Sequence, residues 1–378
     1  MRNFNLYFFA AALSFGLVTA CDNSDDPVDP VSGYGDVTGI INDYVDKTVL
    51  PTYQDMKNKA WVLDDAVKEL SEAGGFTNAN ITAACDAWRA TRVPWEQSEA
   101  FLFGPATLQS LDPLLDSWPL DQGGIDQVLA GGSYIDPGAL GETVRGFHTV
   151  EYFLFLDGEP RTTATFIPNS LEYLTVVTEV LRDDCIKLWS SWAGADALSG
   201  KDAEAMDDAE FEPASPSYAS QFKNAGNAGS VYISPDEAID AIVDGCMTIS
   251  EEVGAQKIGG PNGMAATNPA QAVLEVESWY SWNSIDDYAN NIISIRNSYF
   301  GSRGAVTPSV NSLSALVKSL DADLDKEITD AIDAAYKAID EGMPYPFRNN
   351  LTGAEVDAAM DACAELTLSM EKVKSLKR

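Results

Sequence analysis

Apolar residues recur at intervals of three and four along most of the chain, and that spacing confines it to helices. Val37, Ile40, Ile41, Tyr44 and Val45 begin the pattern, and Met56, Ala60, Leu63, Val67 and Leu70 continue it beyond Pro51. Residues spaced this way share one face of a 3.6-residue helix, whereas a strand alternates every second residue. Pro51 is expected to kink or break this first element, because proline lacks an amide hydrogen and clashes with the preceding turn. Further helices are expected over about 80–103, 140–156 and 171–192. Between the second and third lies a long loop rich in Gly, Pro and Asp, with one short helix near 125–129. Loops of that length in compact domains are often functional. Periodicity fades over 197–234, where Gly, Ser, Asn and Pro collect, and returns over 235–253, 274–299 (interrupted near Trp282), 310–339 and 355–373. No segment alternates like a strong strand. The expected fold class is therefore all-α, with two helical-bundle domains, 35–215 and 216–378, packed against each other.

The first residues read as an address. Arg2 precedes a largely apolar run from Leu6 to Val18 that is shorter than a spanning helix needs, so residues 1–20 are expected to be a signal peptide. The sequence Val18-Thr19-Ala20-Cys21 resembles a bacterial lipobox, which implies cleavage before Cys21 and acylation of that cysteine. Asp22, Asp25 and Asp26 resemble the acidic export signal of surface lipoproteins, and residues 21–34 read as a flexible tether. The expected location is the outer membrane, lipid-anchored and exposed at the cell surface, with the lipid membrane as a partner through Cys21. A net charge of −34 over 378 residues argues against nucleic acid as a partner, since phosphates would be repelled. The same charge serves solubility, and it concentrates cations near the protein. Cys85, Cys185, Cys246 and Cys363 permit two disulfides in an exported protein, or serve as buried small hydrophobes; the spacing assigns no pairs.

The chain contains one histidine, His148, in the run Arg145-Gly146-Phe147-His148-Thr149-Val150-Glu151. Residues three apart on a helix share a face, so His148 and Glu151 can reach one point, which suits a metal ion or a hydrogen-bonded pair. Gly146 inside a helix costs about 1 kcal/mol relative to alanine, and close approach by another helix or a ligand would justify it. Tyr152, Phe153 and Phe155 make the end of this helix apolar all round, so it belongs inside, where the glutamate needs a partner. In the preceding helix Trp88, Arg92, Trp95, Glu99 and Phe103 fall on one face. Either Arg92 and Glu99 form a buried pair, or Glu99 is a further ligand. In the second half Ser281, Ser284, Asp287 and Asn291 line one side of a helix, read as a solvated face or as an interface contributing to the same pocket.

At these residues the chain resembles a known family. Trp88 through Pro105 resembles the first characteristic segment of imelysin-like proteins. Gly146-Phe147-His148-Thr149-Val150-Glu151 matches their G-x-H-x-x-E signature. Glu277-Ser278-Trp279-Tyr280-Ser281, followed by Ser284, Asp287, Asn291 and Gly301, resembles their C-terminal segment. The resemblance covers residues 35–378 and implies two helical bundles with a pocket between them and a role in bacterial iron uptake, alongside an iron-uptake membrane complex. It implies His148 and Glu151 as the metal-binding pair, joined by Glu99. Arg92, Gly146, Ser281 and Asp287 follow as pocket residues, and iron or another divalent metal as the ligand. Trp282 departs from the more polar residue expected there, which puts a contribution from that position in doubt.

The family takes its name from a presumed peptidase. A zinc peptidase site typically combines two histidines with a carboxylate, which a chain with one histidine cannot supply. One imidazole among carboxylates suits iron or manganese better than a thiolate-seeking ion. Three readings stand at this point: a binder of a metal ion or iron complex, a metal-dependent peptidase, and a surface adaptor in which His148 and Glu151 lock helices together.

Overall fold

Most periodic segments become helices with shifted boundaries, while the one expected over 274–299 folds as turns over 275–283 and is helical only from Ser284 to Phe300. The computed structural model describes residues 33–131 and 135–377. The signal peptide at 1–20, Cys21 and the tether up to residue 32 lie outside the described residues. Tyr34, at the tether's expected end, is already docked: it is buried, and its amide donates to Asp236 Oδ1 at 3.1 Å. Pro51 does not break the chain: Thr38–Asp43, a π-helical turn over Tyr44–Val49 and Leu50–Ser71 run on without a gap. The π turn, in which Leu50 N donates to Val45 O, adjoins the proline that lacks an amide hydrogen. The next helix, Asn78–Glu96, is capped by Thr77, whose side chain accepts from Asn80 N. It ends seven residues earlier than the apolar spacing predicts, with Pro94 in its last turn, and a 3-10 turn, Glu99–Phe101, follows.

The third expected helix is shorter at both ends, Gly146–Leu154. Asp157 and Gly158, both with positive φ, turn the chain into a two-residue hairpin that pairs Phe155–Leu156 with Glu159–Pro160. The Asp-Gly dipeptide is the signal for such a turn, and the apolar run before it hides the end of the helix. The long loop contains Pro105–Leu108, Leu111–Asp116 and Gln122–Ala130. Leu171–Ala193 closes the first set of helices, with Leu50–Ser71 packed against both it and Asn78–Glu96.

After two short helices, Lys201–Asp208 and Tyr218–Lys223, the second set comprises Pro235–Glu251, Ser284–Phe300, Ala322–Lys337 and Ala354–Glu371 as its longest members. Pro235–Glu251 continues into a π-helical turn, Glu252–Ile258. Apart from a small satellite of Ile186, Ala205 and Met206, the buried apolar residues of both sets join in one cluster that runs from Tyr34 to Val373. Cys85, Cys185, Cys246 and Cys363 are all buried free thiols, which favours the small-hydrophobe reading over disulfides. Among the described residues no helix is long and apolar enough to cross a membrane.

Two contacts across the sets position the site. Ser284–Phe300 lies against Asn78–Glu96, and Pro235–Glu251 lies against Glu99–Phe101. The second contact depends on Gly245, since a Cβ there would fall 2.0 Å from Ala100 O. Gly245→Ala is expected to lower stability by about 1–3 kcal/mol, the usual scale of overpacking, read as a drop in the denaturant midpoint. An unchanged midpoint would show that this helix can slide without loss.

Candidate functional site

Gly146 starts the signature helix with φ of +80°, a region that side chains with a Cβ rarely adopt. A Cβ there would also lie 2.4 Å from Leu115 O. The helix therefore begins in contact with the backbone of Leu111–Asp116, not in the middle of a longer helix as the apolar spacing predicts. That contact brings Asp116 beside the histidine: His148 Nε2 lies 3.1 Å from Asp116 Oδ1 and 3.8 Å from Glu277 Oε1. Trp118 sets its ring edge-on to the imidazole at 4.6 Å. Trp95 Nε1 donates to the other Asp116 oxygen at 2.6 Å.

Glu151 meets His148 itself, with Oε2 3.0 Å from Nδ1. Its other oxygen accepts from Ser281 N at 2.8 Å and Ser281 Oγ at 2.7 Å. The glutamate is thus engaged on both oxygens, and it fixes the ring from behind. His148 and Glu151 do not converge on a third point; the other side of the imidazole, Nε2, faces Asp116 and Glu277. Both His148 and Glu151 are fully buried. Burial acts to lower the histidine's pKa, but the charge of Asp116 and the contacts with Glu151 and Glu277 carry it well above the usual range.

Arg92 occupies the centre. Its guanidinium pairs with Glu96 and Asp116, and Nη2 lies 2.9 Å from Glu277 Oε1 and 3.1 Å from Asp287 Oδ2. Phe147 lies under it, 5.1 Å from the ring centre. The expected Arg92–Glu99 pair is not formed, because the helix ends at Glu96 and the 3-10 turn carries Glu99 elsewhere. Glu99 instead lies 3.7 Å from Lys257 Nζ. Asp287 also accepts from Ser278 and from Asn283 Nδ2, the latter at 2.8 Å. Asn291 donates to Glu96, and Ser294 Oγ accepts from Ala100 N. The polar line on the Ser284–Phe300 helix is therefore an interface and not a solvated face.

A pocket of about 390 Å³ opens above this cluster, lined among others by Glu99, Asp112, Asp116, Glu252, Glu275 and Glu277, with Lys257 as the single cationic side chain among the described residues that line it. Burial, then the charges of Asp116 and Glu252, pushes Asp112 up to about 7. Burial likewise raises Asp287 to about 6, opposed by Arg92. Glu277 goes the other way: burial acts to raise it, but Lys257 and His148 hold it down at about 2. Three groupings bring ligand atoms within 4.8 Å of one another: Asp116–His148–Glu277, Glu96–Glu99–Asp116 and Glu96–Glu277–Asp287. Of these, Asp116–His148–Glu277 contains the imidazole.

Asp116, Glu277, Lys257 and Trp118 did not emerge from sequence reasoning as site residues. The long acidic loop was the signal for Asp116 and Trp118, and Glu277 stood in the C-terminal segment without being singled out. Lys257 carried no signal. Trp282 packs against Gly158 and Tyr345 and does not line the pocket.

The profile of the Imelysin family matches residues 49–373. A Synechococcus elongatus protein named Iron-regulated protein A is 31% identical over 264 residues; the match covers 70% of this chain and 64% of that protein's length. A crystal structure from Parabacteroides distasonis, described as an iron-regulated protein A precursor, is 40% identical with a TM-score of 0.79, over 90% of this chain and 95% of that one. An imelysin-like protein from Psychrobacter arcticum shares the fold with a TM-score of 0.62 at 12% identity, over 90% of this chain and 95% of that one.

The pKa directions set a pH dependence. Asp112 and Asp287 have folded-state values above their unfolded ones, so their contribution is present in acid and is lost as pH rises through about 6 and then 7. Glu277 and Asp116, both depressed, contribute above about pH 4 and lose that contribution only in strong acid. Chelator-treated protein is expected to melt at a lower temperature near pH 8 than near pH 5, with Asp112→Asn reducing the difference. A melting point that rises over that interval would contradict these assignments.

Proposed function

The chain belongs to the imelysin family, and from that premise we propose that it is an exported, lipid-anchored protein that binds a metal ion or iron complex and serves iron uptake. The observation that carries this reading is the presentation of His148. Its Nδ1 is fixed by Glu151, and its Nε2 is turned toward the carboxylates of Asp116 at 3.1 Å and Glu277 at 3.8 Å, contacts of ion-pair range that lack hydrogen-bond alignment. Glu277 Oε2 is likewise buried without an aligned hydrogen bond, with the Lys257 ammonium 3.1 Å away. Buried polar atoms normally find well-aligned partners, and here an imidazole nitrogen and a carboxylate oxygen meet theirs only as loose ion pairs beside the same acidic pocket, an arrangement that an ion displacing the imidazole proton would complete. His148, Asp116 and Glu277 would hold the ion, and Glu151 would orient the imidazole as an outer-shell carboxylate. One imidazole with two carboxylates matches the preference of iron and manganese. The kinship with a protein named Iron-regulated protein A supports iron as the cargo, and acylation of Cys21 would hold the protein at the outer membrane beside an uptake complex.

The peptidase reading is weaker, because the water-activating set of a zinc peptidase needs histidines that this chain lacks. The adaptor reading is separated by experiment. Metal titration with Mn²⁺ or Fe²⁺ should show binding to wild type, none to His148→Ala, and binding weakened about 10- to 100-fold in Glu151→Gln, with all three proteins folded. No binding to wild type, with both substitutions lowering the melting temperature, would leave His148 and Glu151 as a structural pair. Chelator-sensitive cleavage of a protein substrate would restore the peptidase reading.

A further inference from the structure

The two fixed cations of the site are held in different ways. Arg92 is fully buried and makes directed bonds to Glu277 and Asp287. Lys257 is held by proximity. Its Nζ lies 3.1 Å from Glu277 Oε2, 3.7 Å from Glu99 Oε1 and 3.9 Å from Glu96 Oε2. The nearest of these, Glu277 Oε2, is without a hydrogen bond, so even this contact is poorly aligned. The backbone of Lys257 is better anchored than its tip. Tyr288 donates its hydroxyl to Lys257 O at 3.2 Å, and the π-helical turn that carries Lys257 packs through Gly254 against Cys363. Such turns are frequent at functional sites.

The ammonium touches members of every candidate ion grouping: Glu277 in the one with His148, and Glu96 and Glu99 in the others. An ion in any of them would share carboxylates with the ammonium and be repelled by it. We propose that Lys257 is a tethered stand-in cation, occupying the acidic wall until a cationic ligand enters and withdrawing along its flexible stem to admit it. Lys257 thereby lowers the affinity of the pocket and favours release, which suits a protein that passes its cargo on. A lysine fits this task better than an arginine, because its compact charge rides on four rotatable methylenes and forms no rigid fork. This inference rests on the reading of the pocket as a cation site.

The test is calorimetric titration of the full chain with Mn²⁺, for wild type, Lys257→Met and Lys257→Arg, alongside thermal melts with and without the ion. Lys257→Met is expected to bind about tenfold tighter or more, the repulsion from a neighbouring ammonium having been removed. The ion should also raise its melting temperature more than it raises that of wild type. Lys257→Arg is expected to bind several-fold more weakly than wild type, because a guanidinium paired in fork geometry withdraws less readily. That second variant carries the test if the first does not fold. A lysine with a merely structural role would give the opposite order, with Lys257→Met the weakest binder and Lys257→Arg close to wild type, and would overturn the proposal while leaving the cation site in place. Absence of Mn²⁺ binding in all three proteins would overturn the cation site and this inference with it.

Discussion

A single guanidinium makes the architecture of the site possible. Arg92 draws together carboxylates from four separate parts of the chain: Glu96 on its own helix, Asp116 at the end of a short loop helix, Glu277 in an irregular segment, and Asp287 on the helix that follows. None of these groups could be buried alone, since an unpaired charge in the interior is very costly. Removing one partner from a buried pair typically destabilises by about 3–5 kcal/mol, and here one cation serves four anions. The two sets of helices are consequently joined by charge as well as by their common apolar core. His148 and Glu151 are held in the same interface, with Ser281 from the second set clasping the glutamate.

The pocket retains more acid than its fixed cations can neutralise. Arg92 and Lys257, with the imidazole of His148, sit among Glu96, Glu99, Asp112, Asp116, Glu252, Glu277 and Asp287, and burial raises several of these carboxyls. Part of the excess is stored as bound protons, first on Glu96 and Glu99, which burial pushes well above the usual carboxylate range, and then on Asp112 and Asp287. A cation entering from solvent would find the imbalance already built. The net charge of −34 on the whole chain adds a long-range field of the same sign, drawing cations toward the protein before the pocket selects among them.

Much of the fold was legible because helical periodicity is a local signal, and the long helices from Leu50 to Glu371 follow it. The errors have local causes too. Proline 94 and the Asp157-Gly158 turn ended helices inside runs whose apolar spacing continued, and the hairpin after Leu154 was too short to alternate. The site was half legible. His148 and Glu151 share a helical face, so their meeting could be read from spacing, although their common target could not. Asp116 approaches His148 because Gly146 admits the backbone of Leu115, a contact between segments thirty residues apart. Glu277 lies in 275–283, a stretch whose spacing predicts helix but which folds as turns, the helix beginning only at Ser284. Lys257 lies in a π-helical turn, where the extra residue shifts the phase by which faces are assigned.

The central claim is that the Nε2 side of one buried imidazole, bordered by Asp116 and Glu277 at the floor of the acidic pocket, is where a cation binds. Anomalous diffraction from crystals of the protein equilibrated with Mn²⁺ or Zn²⁺ tests this most directly. The account predicts a peak within about 2–2.5 Å of His148 Nε2 and in reach of both carboxylates, with Glu151 still bonded to Nδ1 and Ser281. A peak on the Glu151 side of the ring, or none in the pocket at saturating ion, would contradict it.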